Sequence, residues 1–377
     1  MKLSCLQGNL NKGLNIVSRA VATRSTLPIT QNILLKAENS RLTLVATNLE
    51  MATTAWVGAQ VEEEGTITVP ARLLIDFVNS LPDDTVEISL PAKGHAIKLV
   101  SGNSQAHING IDANEFPPMP EVTDGFEAQI GADALRDAIT QVIFGAATDE
   151  TRPALTGINV EFEGEKVTLA AADGFRLAVH TASLSTAVEQ KTTVIIPART
   201  LGEINRLLGE QEEPVEIRIN EQKSQVLFHL KDADVVSQII QGSFPDYTQV
   251  IPKSYTTRVI VGVDQFLKAT KMSSIFARDA SGIIRLVVTP GADLTPGKIT
   301  ISAQAEEVGS NTSELDALTD GDASKIAFNV KYLSDVLSVI RQSQVAVETT
   351  TPSSPGVIRP VGVDNYVHVI MPMFVQW

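Results

Sequence analysis

Glu115-Phe116-Pro117 returns as Ser243-Phe244-Pro245 and again as Ile370-Met371-Pro372, which sets the three prolines 128 and 127 residues apart. An interval that long is the size of a domain with its own core, well beyond the roughly 20 to 50 residues of a solenoid repeat. Other segments keep the spacing. Val69-Pro70-Ala71-Arg72 returns as Ile196-Pro197-Ala198-Arg199, with Phe328-Asn329-Val330-Lys331 as a looser third copy. Leu42-Thr43-Leu44-Val45-Ala46 returns as Val167-Thr168-Leu169-Ala170-Ala171 and as Ile299-Thr300-Ile301-Ser302-Ala303. The chain reads as three similar domains, 1–123, 124–254 and 255–377, joined through proline-rich stretches at 112–125 and 242–256.

Within each domain the periodicity predicts a helix, alternating strands, a second helix and more strands, an α+β fold. Leu10, Leu14, Val17 and Val21 fall at helical spacing over 8–22, with Lys12, Asn15 and Arg19 on the opposite face. Strands follow at 33–37, 41–48 and 52–57, with Asn39-Ser40 as the turn between the first two, and proline at 70 opens a helix to 81. The second domain repeats the order with helices at 133–146 and 199–208 and strands at 157–163 and 166–172. The third has helices at 263–277 and 330–340 and strands at 284–289 and 298–305, making six helices in all, packed on antiparallel sheets.

Composition narrows the function. A chain of 377 residues that is 43% apolar can bury several cores, and its one cysteine, Cys5, cannot form an internal disulfide. No apolar run reaches the roughly 20 residues of a membrane span and no secretory leader opens the chain, so the expected location is the cytoplasm. The five histidines lie far apart with no ligand at metal spacing, and neither a Gly-x-Ser-x-Gly elbow nor a Gly-x-Gly-x-x-Gly loop is present. The stretch from Gly291 to Lys298 resembles a phosphate-binding loop but has five residues between its glycines and ends before Ile299, which reads as a turn between strands. No catalytic group, metal or cofactor is called for.

The net charge of −14 argues against a nucleic acid partner until its distribution is counted. Summed over 8–24, 70–81, 131–148, 199–209, 263–280 and 330–343, the helices carry about +5, leaving about −19 for strands and loops. The polar helix faces bear Lys12, Arg19 and Arg24, Arg72, Arg136, Arg199 and Arg206, Lys268 and Lys271, and Lys331 and Arg341. If the sheets join edge to edge, all the helices lie on one side and these cations form one positive surface. Twelve helices about 9 to 10 Å apart trace a circle roughly 36 Å across, about 26 Å of it free. Duplex DNA, about 20 Å wide, fits with a layer of water. Twelve helices require two chains, hence a closed ring made by a head-to-tail homodimer.

Several motifs together resemble the β sliding clamp family, the β subunit of bacterial DNA polymerase III. They are Arg24-Ser25-Thr26-Leu27-Pro28-Ile29, Asp173-Gly174-Phe175-Arg176-Leu177-Ala178, Ser243-Phe244-Pro245-Asp246-Tyr247, Phe328-Asn329-Val330 with Tyr332, and Met371-Pro372-Met373. The resemblance covers the whole chain. It implies a processivity factor around double-stranded DNA, held without sequence preference. Its partners would be itself, the polymerase III α subunit, a clamp loader and other proteins with a clamp-binding motif. It also implies an apolar cleft for their peptides, lined by Leu155, Ala172, Gly174, Phe175, Arg176, Leu177, Pro245, Val250, Asn329, Tyr332, Val369, Ile370, Met371, Pro372 and Met373. Methionine and proline beside aliphatic residues suit a surface that accepts several peptides. The resemblance adds Arg152 to Arg24 as a DNA contact, and sets His107 and Ile108 of one chain against Met272, Ile275 and Phe276 of the other. The competing expectation is a DNA-independent peptide-binding scaffold with incidental basic helices.

Overall fold

The structure is a computed structural model that describes residues 1–92, 94–209, 211–277, 282–292, 295–305, 307 and 309–377. The described α-helices fall in three successive pairs along the chain, each pair set among strands. Repeat one contains β1 (Lys2–Leu6), α1 (Gln7–Val17), β2 (Asn32–Glu38), β3 (Arg41–Thr47), β4 (Met51–Gly58), β5 (Gln60–Glu63), β6 (Gly65–Pro70), α2 (Ala71–Ser80), β7 (Thr85–Ser89), β8 (Ala96–Ser101) and β9 (Ser104–Asn109). Repeat two contains β10 (Phe126–Ile130), α3 (Ala132–Val142), β11 (Gly157–Ala172), β12 (Arg176–Pro197), α4 (Ala198–Leu208), β13 (Val215–Ile219), β14 (Gln225–His229) and β15 (Ala233–Gln238). Repeat three contains β16 (Thr257–Gly262), α5 (Val263–Ala277), β17 (Ile283–Thr289), β18 (Gly297–Ala305), β19 (Gly309–Gly321), β20 (Ser324–Asn329), α6 (Val330–Val339), β21 (Gln344–Thr349), β22 (Gly356–Pro360) and β23 (Tyr366–Ile370). Of the phosphate-loop resemblance, Asp293 and Leu294 lie outside the described residues, as do residues 278–280 of the range counted for the fifth helix.

Local sequence explains these boundaries. α1 buries Leu10, Leu14 and Val17, each worth about 1.5 to 3 kcal/mol, and exposes Lys12 and Asn15. It ends sooner than the spacing predicts: Ser18–Ala20 tightens into a 3₁₀ turn and Val21 is extended, so Val21 is not part of the helical stripe. α3 likewise stops at Val142 and passes into a 3₁₀ turn, four residues short of the expected end. Asn39 and Ser40, with φ of 49° and 60°, form the tight turn that joins β2 to β3. The two strands expected at 157–163 and 166–172 are one, β11. Gly164 at φ 57° absorbs a bulge, after which pairing with β12 resumes to Ala172↔Leu177.

The elements pack into two compact units, Met1–Ala132 with Arg199–Ile239, and Asp133–Ala198 with Ile240–Trp377. The first holds a five-stranded sheet, β5-β1-β7-β8-β9, and an eight-stranded sheet, β10-β13-β14-β15-β4-β3-β2-β6. The second holds a ten-stranded sheet, β11-β12-β23-β22-β21-β16-β19-β18-β17-β20. Pairing among the described strands is antiparallel, and strands of successive repeats join edge to edge. β4 pairs with β15 through Met51↔Ser237, and β12 pairs with β23 through Arg176↔Ile370. None of the described helices is long and apolar enough to cross a membrane.

A cleft around Arg176 and the cations of the helices

The turn from β11 to β12 is built by one carboxylate. Asp173 accepts from the amides of Phe175 and Arg176 at 2.9 and 3.0 Å through Oδ1, and from Arg176 Nε at 3.0 Å through Oδ2. Gly174 between them has φ 94°, a conformation open to glycine at no steric cost, and a Cβ there would stand 2.8 Å from an Arg152 nitrogen. The second amine of the Arg176 guanidinium reaches Asp335 Oδ2 of α6 at 2.7 Å, and its plane lies 4.4 Å from the Tyr332 ring and 5.4 Å from that of Phe144. Lys331 adds a second cation on Asp335 at 2.8 Å. Arg176 is only 8% exposed, and a charge so buried is tolerated because two carboxylates and two ring faces replace its water. The sequence pointed to Arg176 and Tyr332 but not to Asp173, Asp335 or Phe144 as partners. Asp173 was signalled by the Asp-Gly dipeptide, whereas the link to Asp335, 159 residues away, leaves no local signal.

Every cleft residue expected from the sequence falls in the second unit, in two layers. Leu155, Leu177, Val369 and Ile370 are buried, and Leu177 and Val369 share a core cluster with Ala170, Val179, Val357 and Val367. Ala172, Tyr247 and Ile251 pack against that cluster. Above it Gly174, Phe175, Pro245, Val250 and Met371 are exposed, while Asn329, Tyr332, Pro372 and Met373 are half-buried. The last strand is fixed at both ends of its exit, Met371 N donating to Phe175 O and Met373 N to Ala327 O, both at 2.8 Å. The linker is shaped by Asp246, whose carboxyl is held below the usual range by the hydroxyl and amide of Thr248. At the tail, Phe374 stands free in solvent and Trp377 lies over Lys325 at 5.8 Å.

Behind the guanidinium lies a buried aromatic layer. His368 stacks against Tyr366 at 6.5 Å and tilts onto Phe144 at 5.4 Å. Burial, then the positive charge of Arg176, pushes its pKa down to about 3. His180, pushed down to about 4 by burial, bonds Gln141 Oε1 through Nδ1 at 2.7 Å and Asn365 through Nε2 at 3.4 Å. Neutral imidazoles without an acidic partner are packing groups here, and among the described residues no group of His, Cys, Asp and Glu could hold a metal ion.

The expected DNA contacts divide between the units. In the first, α1 packs on α2, and Arg206 of α4 donates to the carbonyls of Asn15 and Ile16 at 3.2 and 3.4 Å, which satisfies the end of α1. In the second, α6 packs on α5, and α3 reaches the end of α6 and the residues after it through Gln141 to Val339 O and Asp137 to Arg341 at 2.6 Å. Several cations are engaged: Lys12 with Asp232 at 2.5 Å, Arg72 with Asp76, Arg136 with Asp133, and Arg206 with Glu203. Arg152 donates to Asp173 O at 2.9 Å, which ties the loop before Leu155 to the cleft turn. Arg19, Arg24, Arg199, Lys268 and Lys271 are exposed and make no ion pair among the described residues. His107 and Ile108 lie on β9 in the first unit, and Met272, Ile275 and Phe276 on α5 in the second. Ile108 is buried in its own unit, so on this strand the open feature is the backbone and His107; Met272 and Ile275 are exposed.

Comparison with known proteins agrees with this architecture. The family described as DNA polymerase III beta subunit matches through its N-terminal domain over residues 1–120, its central domain over 129–246 and its C-terminal domain over 248–374. The beta sliding clamp of Synechococcus elongatus is 32% identical over 376 residues, 99% of each chain. The crystal structure of the Bacillus subtilis sliding clamp superposes with a TM-score of 0.94 at 29% identity, covering 100% of both chains. A Pseudomonas aeruginosa clamp bound to griselimycin superposes at 0.92, also at 29% identity and 100% coverage. The chain therefore belongs to the DNA polymerase III β subunit family, the bacterial sliding clamps.

Proposed function

We propose that two of these chains close head to tail into a ring around duplex DNA and hold polymerase III α and other replication proteins there through the Arg176 cleft. One observation carries the ring. Within the chain, the strand after each tight turn pairs with the last strand of the next repeat, β4 with β15 and β12 with β23. Two strands of the same classes remain without such a partner. Among the described residues β9 ends its sheet, and residues 309–317 of β19 pair only with β18. An open edge is a liability unless covered, and these two are the complementary halves of the joint already made twice. Carrying that register forward sets Ala106 of one chain opposite Asn311 of its partner, with His107 opposite Ser310. Met272, Ile275 and Phe276 would lie near this joint, since Phe276 is 3.9 Å from a Cβ built on Gly309.

In this reading the unpaired cations of the helices, with Arg24 and Arg152, meet phosphates and read no bases, because a ring that slides gains nothing from sequence preference. Tenacity comes from topology. The cleft needs no chemistry of its own, and a separate ATP-driven loader opens the ring in the cytoplasm, beside the chromosome. The test is retention on nicked circular duplex with a loader supplied, followed by gel filtration before and after a restriction cut. Release on cutting is expected. Binding that survives linearisation, or that never occurs with an active loader, would sink the ring and leave a DNA-independent peptide scaffold.

A further inference from the structure

The repeat that builds the cleft in the second unit builds a second copy in the first. Asn48 Oδ1 accepts from the amides of Glu50 and Met51 at 3.0 and 2.8 Å, as Asp173 does for Phe175 and Arg176. Gln238 N donates to Glu50 O at 2.8 Å, as Met371 N does to Phe175 O. Phe116-Pro117 stands where the other copy has Phe244-Pro245. Between these parts lies a cavity of about 140 Å³ whose walls include Leu49, Met51, Pro117, Met119 and Val236. Cavities of that order admit a benzene-sized group, which is one aliphatic side chain.

Charge distinguishes the two copies. The second unit's cleft carries Arg176 and Arg152, whereas among the described residues the only charged side chain lining this cavity is Glu50. Glu50 is exposed and makes no ion pair among the described residues, and the same is true of Glu121, one residue beyond Pro120 at the rim. Leu49 is 52% exposed at the cavity mouth, an apolar surface that the other copy replaces with Gly174.

We propose that this cavity is a second peptide site, taking one aliphatic side chain of a partner protein's extended segment with a lysine or arginine beside it against Glu50. The proposal rests on reading the Arg176 cleft as a peptide site, and the two can be tested apart because methionines mark both. In the intact dimer labelled with ¹³C at methionine methyls, Met51 and Met119 report the cavity, and Met371 and Met373 report the cleft. The probe is an acetylated peptide with one leucine followed by two lysines. Saturable shifts at Met51 and Met119 are expected, weakened at least about tenfold by Glu50→Lys, an exposed position where the change leaves packing intact. Shifts confined to Met371 and Met373 would overturn the second site, and equal shifts from a peptide with two glutamates in place of the lysines would overturn its charge selectivity. Peptides tiling the polymerase α subunit, read at Met371 and Met373, test the main cleft independently.

Discussion

His368 has no exposed surface, and among the described residues neither ring nitrogen has a hydrogen-bond partner. The groups that face it are the rings of Phe144 and Tyr366 and the cation of Arg176, none of which accepts a proton from it. Its folded pKa of about 3 lies below the unfolded value of about 6.5, so between those limits the unfolded chain binds the extra proton. Stability from this group is therefore complete above about pH 6.5 and falls as pH drops through the window, by about 1.4 kcal/mol per unit. His180 acts in the same direction over a narrower range, down to about 4. Replacing His368 with phenylalanine keeps a ring in the layer and removes the titration. Urea midpoints measured from pH 7 to 4 should then decline less steeply in His368→Phe than in the parent chain. Parallel curves would mean that the folded chain protonates His368 as easily as the unfolded one.

Between elements, the register proposed for β9 against a partner's β19 makes a sharp prediction. His107→Cys with Ser310→Cys places two thiols on directly opposed backbone positions, where Cα atoms about 4.5 to 5.5 Å apart allow a disulfide. Mild oxidation should give a species of twice the chain mass, and His107→Cys with Thr312→Cys, displaced by two residues, should not. Cys5 does not interfere, because its thiol is buried and its pKa is pushed up to about 11. Reversed efficiencies would mean that the joint between chains does not copy the joints within one. The repeat unit was legible in the sequence because hydrophobic period and proline placement are local, and α5 begins where its spacing predicts. Pairing between repeats was not, since β4 and β15 or Arg176 and Asp335 meet across long stretches that leave no periodic trace. The same gap explains the cleft. Its motif residues could be named, but which of them form the floor, as Leu177 and Val369 do, depends on strands folded against them. Leu49, at φ 75° in the place of Gly174, could not be anticipated either, because leucine gives no sign of a left-handed turn.

For the whole molecule, the decisive quantity is the contrast between a net charge of −14 and the exposed cations of the helices. A chain with a large net negative charge repels duplex at long range, so binding to a short linear fragment should be weak and should weaken further with salt. Each phosphate contact contributes about 0.9 to the slope of log affinity against log salt. Lys268 and Lys271 make no ion pair among the described residues, so replacing both with alanine should lower that slope by up to about two per chain. The proposed ring, once closed on a circle, would obey a different rule, because its retention would depend on the β9 and β19 joint and not on phosphate contacts. At about 1 M salt, where the screening length is about 3 Å, the double variant loaded on nicked circles should stay bound as long as the parent chain. Filter binding on linear fragments and gel filtration of loaded circles measure the two terms separately. Equal salt sensitivity in both assays would show that charge holds the protein on DNA, and the topological account would fail.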